Sequence, residues 1–250
     1  MKIAVRGGHT ELCTGASALI NELTEDRKVK DAVIKYLREL GHEVLDVTPP
    51  VNYTSSSGTD LAYGVNKANS WGADLFVSIH FNKVYNSYNG ALGSEVCVYS
   101  THEIAQRVVN ALGALGFKNR GQKIRTGLYE LKHTKMKAMI VETCFVEATE
   151  DVDLYRKLGA DAIGKAIAEA IANKKVQTVT TSSNQSNSGL GYRVKITASM
   201  LNVRKGAGTN YSIATTVKNN EVYTIVEEKN GWGKLKSGAG WISLSYATKL

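Results

Sequence analysis

No run in this sequence approaches the ~20 consecutive apolar residues that a helix needs to cross a bilayer, so no membrane-inserted segment is expected. Cysteine is scarce. Cys13, Cys97 and Cys144 are odd in number and show no CxxC spacing, which argues against a disulfide framework and for reduced thiols. The first residues, MKIAVRGG, lack the basic start and long apolar core of a secretory signal. The expectation is synthesis in the cytoplasm, with any export by a separate route. There is no internal repeat, and no RNA- or DNA-binding motif is found. What is present is ordinary globular composition, 43% hydrophobic and 22% charged, in 250 residues, enough for one large domain or two smaller ones.

The charge is lopsided. Residues 192–250 carry nine Lys/Arg against three Glu and no Asp, which accounts for +6 of the formal +8. A basic segment of this kind suits a polyanion, whether nucleic acid, anionic lipid or an anionic cell-wall polymer, or simply a soluble surface.

Apolar patterning divides the chain. Lys2–Arg6, Glu43–Val47, Asp74–Asn82, Glu95–Tyr99 and Ala138–Val141 read as strands. Between them, Val29, Ala32, Val33, Tyr36, Leu37 and Leu40 form a helical stripe that stops at Gly41. Asp60–Trp71 reads as a short helix. A further helix, capped by Ser100 or Thr101, carries Ile104, Val108, Ala111, Leu112 and Leu115. One last helix is expected from Glu150 to about Asn173, after a loop with a short strand over Lys118–Leu131. This alternation predicts an α/β domain over 1–173, a mostly parallel sheet with helices on both faces. Residues 174–191 are small, polar and aperiodic, a flexible linker. From Tyr192 to Leu250, short alternating runs separated by Gly/Asn turns predict a small all-β domain.

Three strands deliver chemistry to one edge of the predicted sheet. Lys2–Arg6 runs through Gly7-Gly8 into His9, Asp74–Asn82 ends in His80 and Asn82, and Ala138–Val141 runs into Glu142. Open α/β sheets place ligands at the carboxyl ends of their strands. Two imidazoles need a third N or O ligand to make the open zinc site of a hydrolase. Glu22 and Glu25 at the start of the first helix, and more weakly Glu11, can supply it, and spacing does not choose among them. Glu142 lies on an apolar strand, where a carboxylate is costly unless it is functional or paired, with Lys132 or Lys135 for example. The loop Asn82–Leu92, with Tyr85 and Tyr88, is placed to border the site. His42 and His102 read as surface residues, and His133 is free to border the cleft.

GGH at 7–9, a glutamate nineteen residues before Gly41, SIHFN at 78–82 and VETCF at 141–145 resemble, in order, the motifs of the zinc-dependent N-acetylmuramoyl-L-alanine amidases, the family of bacterial autolysins and phage endolysins. The resemblance covers residues 1–173. It implies zinc (Zn2+) held by His9, Glu22 and His80, with Glu142 as catalytic acid/base, and it favours Glu22 over Glu25. The chain departs from the family's frequent pattern at Arg6-Gly7-Gly8 before the first histidine, and at Cys144 and Ala148 after the glutamate. LNVRKGAGTNYS at 201–212, NGWGKL at 230–235 and GWISLSY at 240–246 resemble bacterial SH3-type cell-wall-binding domains, an SH3-like barrel over 192–250. Tyr211, Trp232 and Tyr246 are the expected wall-contacting aromatics, with Trp241 assigned to the barrel core.

These resemblances imply a peptidoglycan hydrolase that uses zinc-activated water to cleave the amide between N-acetylmuramic acid and L-alanine. The partners expected are peptidoglycan and anionic wall polymers, with no nucleic acid and no membrane insertion. A phage endolysin of a Gram-positive host, reaching the wall through a separate pore, is the setting expected. The rivals are a zinc peptidase cutting stem peptide or cross-bridge, and a wall-binding protein without catalysis.

Overall fold

The computed structural model describes residues 1–176, 191–209, 211–229 and 231–250. The chain forms two compact units, Met1–Thr178 and Val179–Leu250. Most of the expected linker, 177–190, lies outside the described residues. Its first residues tie back to the first unit, where Val176 N–H donates to Glu169 Oε1 at 3.0 Å.

The first unit runs β1 (Lys2–Gly7), α1 (Glu22–Glu39), β2 (Glu43–Asp46), α2 (Ser57–Trp71), β3 (Leu75–Asn82), β4 (Ser94–Val98), α3 (Glu103–Ala114), β5 (Asn119–Ile124), α4 (Tyr129–His133), β6 (Lys137–Phe145), α5 (Thr149–Leu158) and α6 (Ala160–Ala172). The sheet order is β2-β1-β3-β6-β4-β5. Every neighbouring pair is parallel except β4 with β6. The helix expected over Glu150–Asn173 is two helices, because Gly159 takes φ 78°, a left-handed value that ends α5. The apolar spacing continues across that break, which is why one stripe spans both. The cap of α3 is His102, not Ser100 or Thr101: its Nδ1 accepts from Ala105 N–H at 3.2 Å. His102 is therefore half-buried and structural, not a surface residue.

The period-two geometry of the strands explains how the sheet is used. Ile3, Val5, Leu75, Val77, Ile79, Phe81, Val96, Met139 and Val141 point to one face, where α1, α3 and α6 add Val33, Leu37, Leu112, Ile163 and Ile167 in one sealed core. The intervening residues point to the face covered by α2 and α4. That face begins apolar, with Ala4, Phe76, Cys97, Ala138 and Ile140. Continuing along β1, β3 and β6 toward their carboxyl ends, the same side carries Arg6, Ser78, His80 and Glu142. One strand set thus makes a dry core on one side and a polar site on the other.

The second unit is a seven-stranded antiparallel sheet, β7 (Tyr192–Ile196), β8 (Met200–Arg204), β9 (Ile213–Lys218), β10 (Val222–Lys229), β11 (Trp232–Leu235), β12 (Trp241–Ser243) and β13 (Ala247–Lys249). Its order is β13-β7-β10-β11-β12-β8-β9, around a core of Val194, Ile196, Leu201, Val203, Val217, Ile225, Leu235 and Ile242. Among the described residues no helix is long and apolar enough to cross a membrane.

Candidate metal centre and active site

Three segments converge at the carboxyl end of β1 and β3. His9 follows β1 with φ 60°, a left-handed backbone rare outside glycine and worth attention where it occurs. Arg27 of α1 holds that turn, donating to the carbonyls of Gly8 and His9. Asn21 caps α1 by accepting from Thr24 N–H at 3.1 Å, which sets Glu22 as the first helical residue. His80 comes from β3, directly opposite Glu142 of β6 in the parallel register.

The structure brings His9, Glu22 and His80 together, with one donor atom of each within 4.8 Å of the others. His9 Nε2 lies 3.3 Å and His80 Nδ1 3.0 Å from the same oxygen, Glu22 Oε1. The imidazoles meet edge to face, ring centroids 5.0 Å apart. Glu22 is only 3% exposed, and its orientation is fixed by N–H groups of Phe81 at 3.0 Å and Ala16 at 2.6 Å. Burial alone would raise its carboxyl, but the bonds from His80 and His9 win and hold it far below the usual range. Burial lowers His80, yet Glu22 more than compensates and lifts it to about 9. Glycines make the room: a Cβ at Gly8 would sit 2.2 Å from His80 Cε1, and one at Gly15 2.3 Å from Glu22 Oε2.

Glu25 and Glu11 are not part of this group. Glu25 bonds Lys28 and the Tyr155 hydroxyl at 2.6 Å, and Glu11 is exposed. Glu142 is half-buried, and its Oε2 is shielded without a hydrogen-bond partner, so neither Lys132 nor Lys135 neutralises that oxygen. Burial pushes its carboxyl up to about 7; His80 opposes this, while Glu22, Glu95 and Glu130 add to it. Glu95 stands opposite Glu142 in the antiparallel register and is paired with Arg120 at 2.7 Å. The donor set, two imidazoles and one carboxylate with an orphaned carboxylate on the same sheet edge, fits a divalent ion of the zinc type.

Several residues of this site were not anticipated. Ser78 accepts the approach of His80 Nε2 at 3.0 Å and donates to Glu130 Oε1 at 3.3 Å. Arg6, wholly buried, joins Glu130 to Asp60. The alternation in LFVSIHFN places Ser78 on the His80 face and could have revealed it, whereas Glu130 rides a five-residue helix in a segment that reads as loop. His133 is exposed and stacks on Tyr129, centroids 4.3 Å apart. His42 is half-buried beside the Met1 amine, not fully on the surface. In the loop after β3, Glu147 fixes the backbone by accepting from Val84 and Tyr85 N–H, and the exposed Tyr85 and Tyr88 rings stack at 5.6 Å.

In the second unit a cleft of about 380 Å³ is lined by Trp232 and Tyr246, with Met200, Asn202 and Arg204. Tyr211 is exposed but lies outside that lining and packs over Gly206, where a Cβ would meet its ring at 2.4 Å. Trp241 is half-buried under Lys234, 5.8 Å from its ring centroid.

An open α/β sheet with a His-Glu-His cluster and a free acid at its strand ends defines a candidate metallohydrolase domain. Comparison with known proteins takes this further. The family model described as N-acetylmuramoyl-L-alanine amidase matches residues 3–173, and the bacterial SH3 domain model matches 199–248. The chain belongs to the N-acetylmuramoyl-L-alanine amidase family. It is 31% identical over 210 residues to the N-acetylmuramoyl-L-alanine amidase CwlM of Bacillus licheniformis, covering 79% of this chain and 75% of that one. An uncharacterized protein of Clostridium perfringens is 50% identical over 182 residues, covering 71% of this chain and 53% of the relative, so the chain matches about half of that protein's length. Among solved structures, the catalytic domain of the CD27L endolysin targeting Clostridia difficile is similar, with TM-score 0.63, 32% identity, and coverage of 71% of this chain and 99% of that one.

Proposed function

We propose that this chain is a zinc-dependent N-acetylmuramoyl-L-alanine amidase acting on peptidoglycan. Residues 1–173 form its catalytic domain, 174–191 its linker and 192–250 its cell-wall-binding domain. The observation that carries this reading is the convergence of His9 Nε2 and His80 Nδ1 on Glu22 Oε1 beside the unpartnered Glu142 Oε2, within a chain of that family.

His9, Glu22 and His80 would hold the ion. Bound zinc supplies a Lewis acid for the scissile carbonyl and brings the pKa of a bound water to about 7. Glu142 receives a proton at Oε2 and returns it to the departing L-alanine amine. Its raised pKa suits both halves of that task, because a carboxyl near 7 takes and gives a proton at neutral pH. Glu95 contributes to that value by standing opposite it, and Arg120 holds Glu95 in place. The N–H groups of Ala16 and Phe81 keep Glu22 from turning away.

The second unit would hold the enzyme on the wall through the cleft at Trp232 and Tyr246, with the exposed Tyr211 as a separate contact and the basic surface favouring anionic polymers. Tethering two binding units raises local substrate concentration without any new contact. Similarity to the amidase CwlM supports the amidase reading, and similarity to the CD27L endolysin catalytic domain supports an endolysin setting, after release to the wall.

The test is digestion of purified Gram-positive walls with end-group analysis. New N-terminal L-alanine, lost on zinc chelation and restored by zinc, is expected. New termini inside the stem peptide or cross-bridge would make the chain a peptidase, and binding without clearing would make it a wall binder.

A further inference from the structure

Behind His80 lies a buried polar chain that ordinary scaffolding does not require. Ser78 and Arg6 are wholly buried on the same sheet face, two residues and one strand away from His80. Glu130, 2% exposed, arrives from α4, and Asp60, equally buried, from α2. His80 Nε2 is 3.0 Å from Ser78 Oγ, and Ser78 Oγ donates to Glu130 Oε1 at 3.3 Å. Glu130 Oε2 is itself 3.8 Å from His80 Nε2. Arg6 then takes Glu130 Oε1 at 3.1 Å with one nitrogen and Asp60 Oδ2 at 2.9 Å with the other.

One guanidinium faces two carboxylates in a dry site, so one negative charge is left over, and the free side of Glu130 faces His80. A buried carboxylate is tolerated only against a donor or a cation. The donor available is the His80 Nε2–H, relayed by the Ser78 hydroxyl. When Nδ1 gives up its proton to an ion, holding the other proton on Nε2 leaves the Nδ1 lone pair on the side of Glu22 Oε1 and His9, where the ion would sit. Histidine ligands are oriented and made more basic by such an outer carboxylate.

We propose that Glu130, acting through Ser78 and set in place by Arg6, is the positioning residue that fixes the His80 tautomer and tunes the metal affinity of the centre. This rests on the reading of His9, Glu22 and His80 as the ligands. Asp60 provides the control, since it bonds the same guanidinium but does not reach His80. Glu130→Gln and Asp60→Asn each leave Arg6 with one carboxylate, so a purely structural network would respond alike to both.

The experiment measures zinc affinity of the full chain by chelator competition, at fixed pH and well below each variant's melting temperature, beside the melting curve of the metal-free protein. Glu130→Gln and Ser78→Ala should each weaken zinc binding about 10–100-fold. Asp60→Asn should lose melting temperature comparably to Glu130→Gln and keep zinc affinity within about threefold of the parent. Ser78→Ala leaves the Arg6–Glu130 pair intact and carries the test if Glu130→Gln does not fold. Unchanged affinity in both relay variants, or equal loss in Asp60→Asn, overturns the proposal while leaving the amidase reading in place. A parent protein that holds no zinc removes the ligand reading and this proposal together.

Discussion

Gly8→Ala should disable the metal centre while leaving the fold standing. The added Cβ would lie 2.2 Å from His80 Cε1, 2.6 Å from Nδ1 and 2.7 Å from Nε2. Non-bonded carbons rest at about 3.5–4.0 Å, so one partner must retreat by about 1.3 Å or more. The backbone cannot, because Gly8 N–H donates to Ile79 O at 3.0 Å and its carbonyl is held by Arg27. The imidazole must move instead, and it sits 3.0 Å from both Ser78 Oγ and Glu22 Oε1, so the shift breaks both contacts. Overpacking of this kind costs about 1–3 kcal/mol of stability. A reacting or binding group displaced by about 1 Å costs on the order of 100-fold, and zinc affinity and wall clearing should both fall by at least that. Gly58→Ala is the matched control. Its Cβ meets nothing nearer than Ser56 Oγ at 4.0 Å, at the start of α2, where alanine is favoured over glycine by about 0.5–1 kcal/mol. Zinc titration, turbidity clearing and circular dichroism on the two variants decide the matter. A Gly8→Ala protein with parental affinity and clearing would refute the reasoning.

Glu142→Gln should bind zinc like the parent and clear walls at least 100-fold more slowly, since the amide cannot shuttle a proton; full activity with normal zinc content removes Glu142 from the chemistry. Glu22→Ala should lose zinc, while Glu25→Ala should keep it and lose about 1–3 kcal/mol of stability by stranding the Tyr155 hydroxyl, as read from metal content and denaturant melts. The reverse pattern would assign the ligand to the wrong glutamate. Asp46 bonds Lys30 at 2.7 Å and Thr48 N–H at 2.9 Å; burial opposes these bonds, and the net result is a carboxyl below its ordinary value. The stability it confers is therefore present above about pH 4 and lost as pH falls through the folded value. Asp46→Asn should melt slightly lower at pH 7, by about 1 kcal/mol or less because the Asp46 side of the pair is open to solvent, and match the parent near pH 3. A gap that widens on acidification would contradict this.

How much of this could be read from residues alone depended on where the information lay. His9, His80 and Glu142 stand at the ends of apolar runs, and a polar residue that interrupts such a run announces itself. Spacing left Glu22 and Glu25 open and only the family resemblance favoured Glu22; the Asn21 side-chain cap that makes Glu22 the first helical residue is a detail that periodicity over one turn does not carry. The break at Gly159 was hidden for the opposite reason, because Leu154, Leu158, Ile163 and Ile167 keep helical spacing through it. Glu130 left no trace, since five residues are too few for a periodic signal and its partners, Arg6 and Ser78, are distant in the chain.

The two faces of the sheet divide labour along a single strand. On β3, Leu75, Val77, Ile79 and Phe81 are sealed in the core, while Ser78 and His80, interleaved with them, face the polar site proposed to carry the chemistry. Substitution in the first set should register chiefly in the melting temperature, and at the second in both metal affinity and melting temperature, because Ser78 is itself wholly buried. Durability and the proposed reactivity are thus set one residue apart on the same strand, and neither is independent of the other.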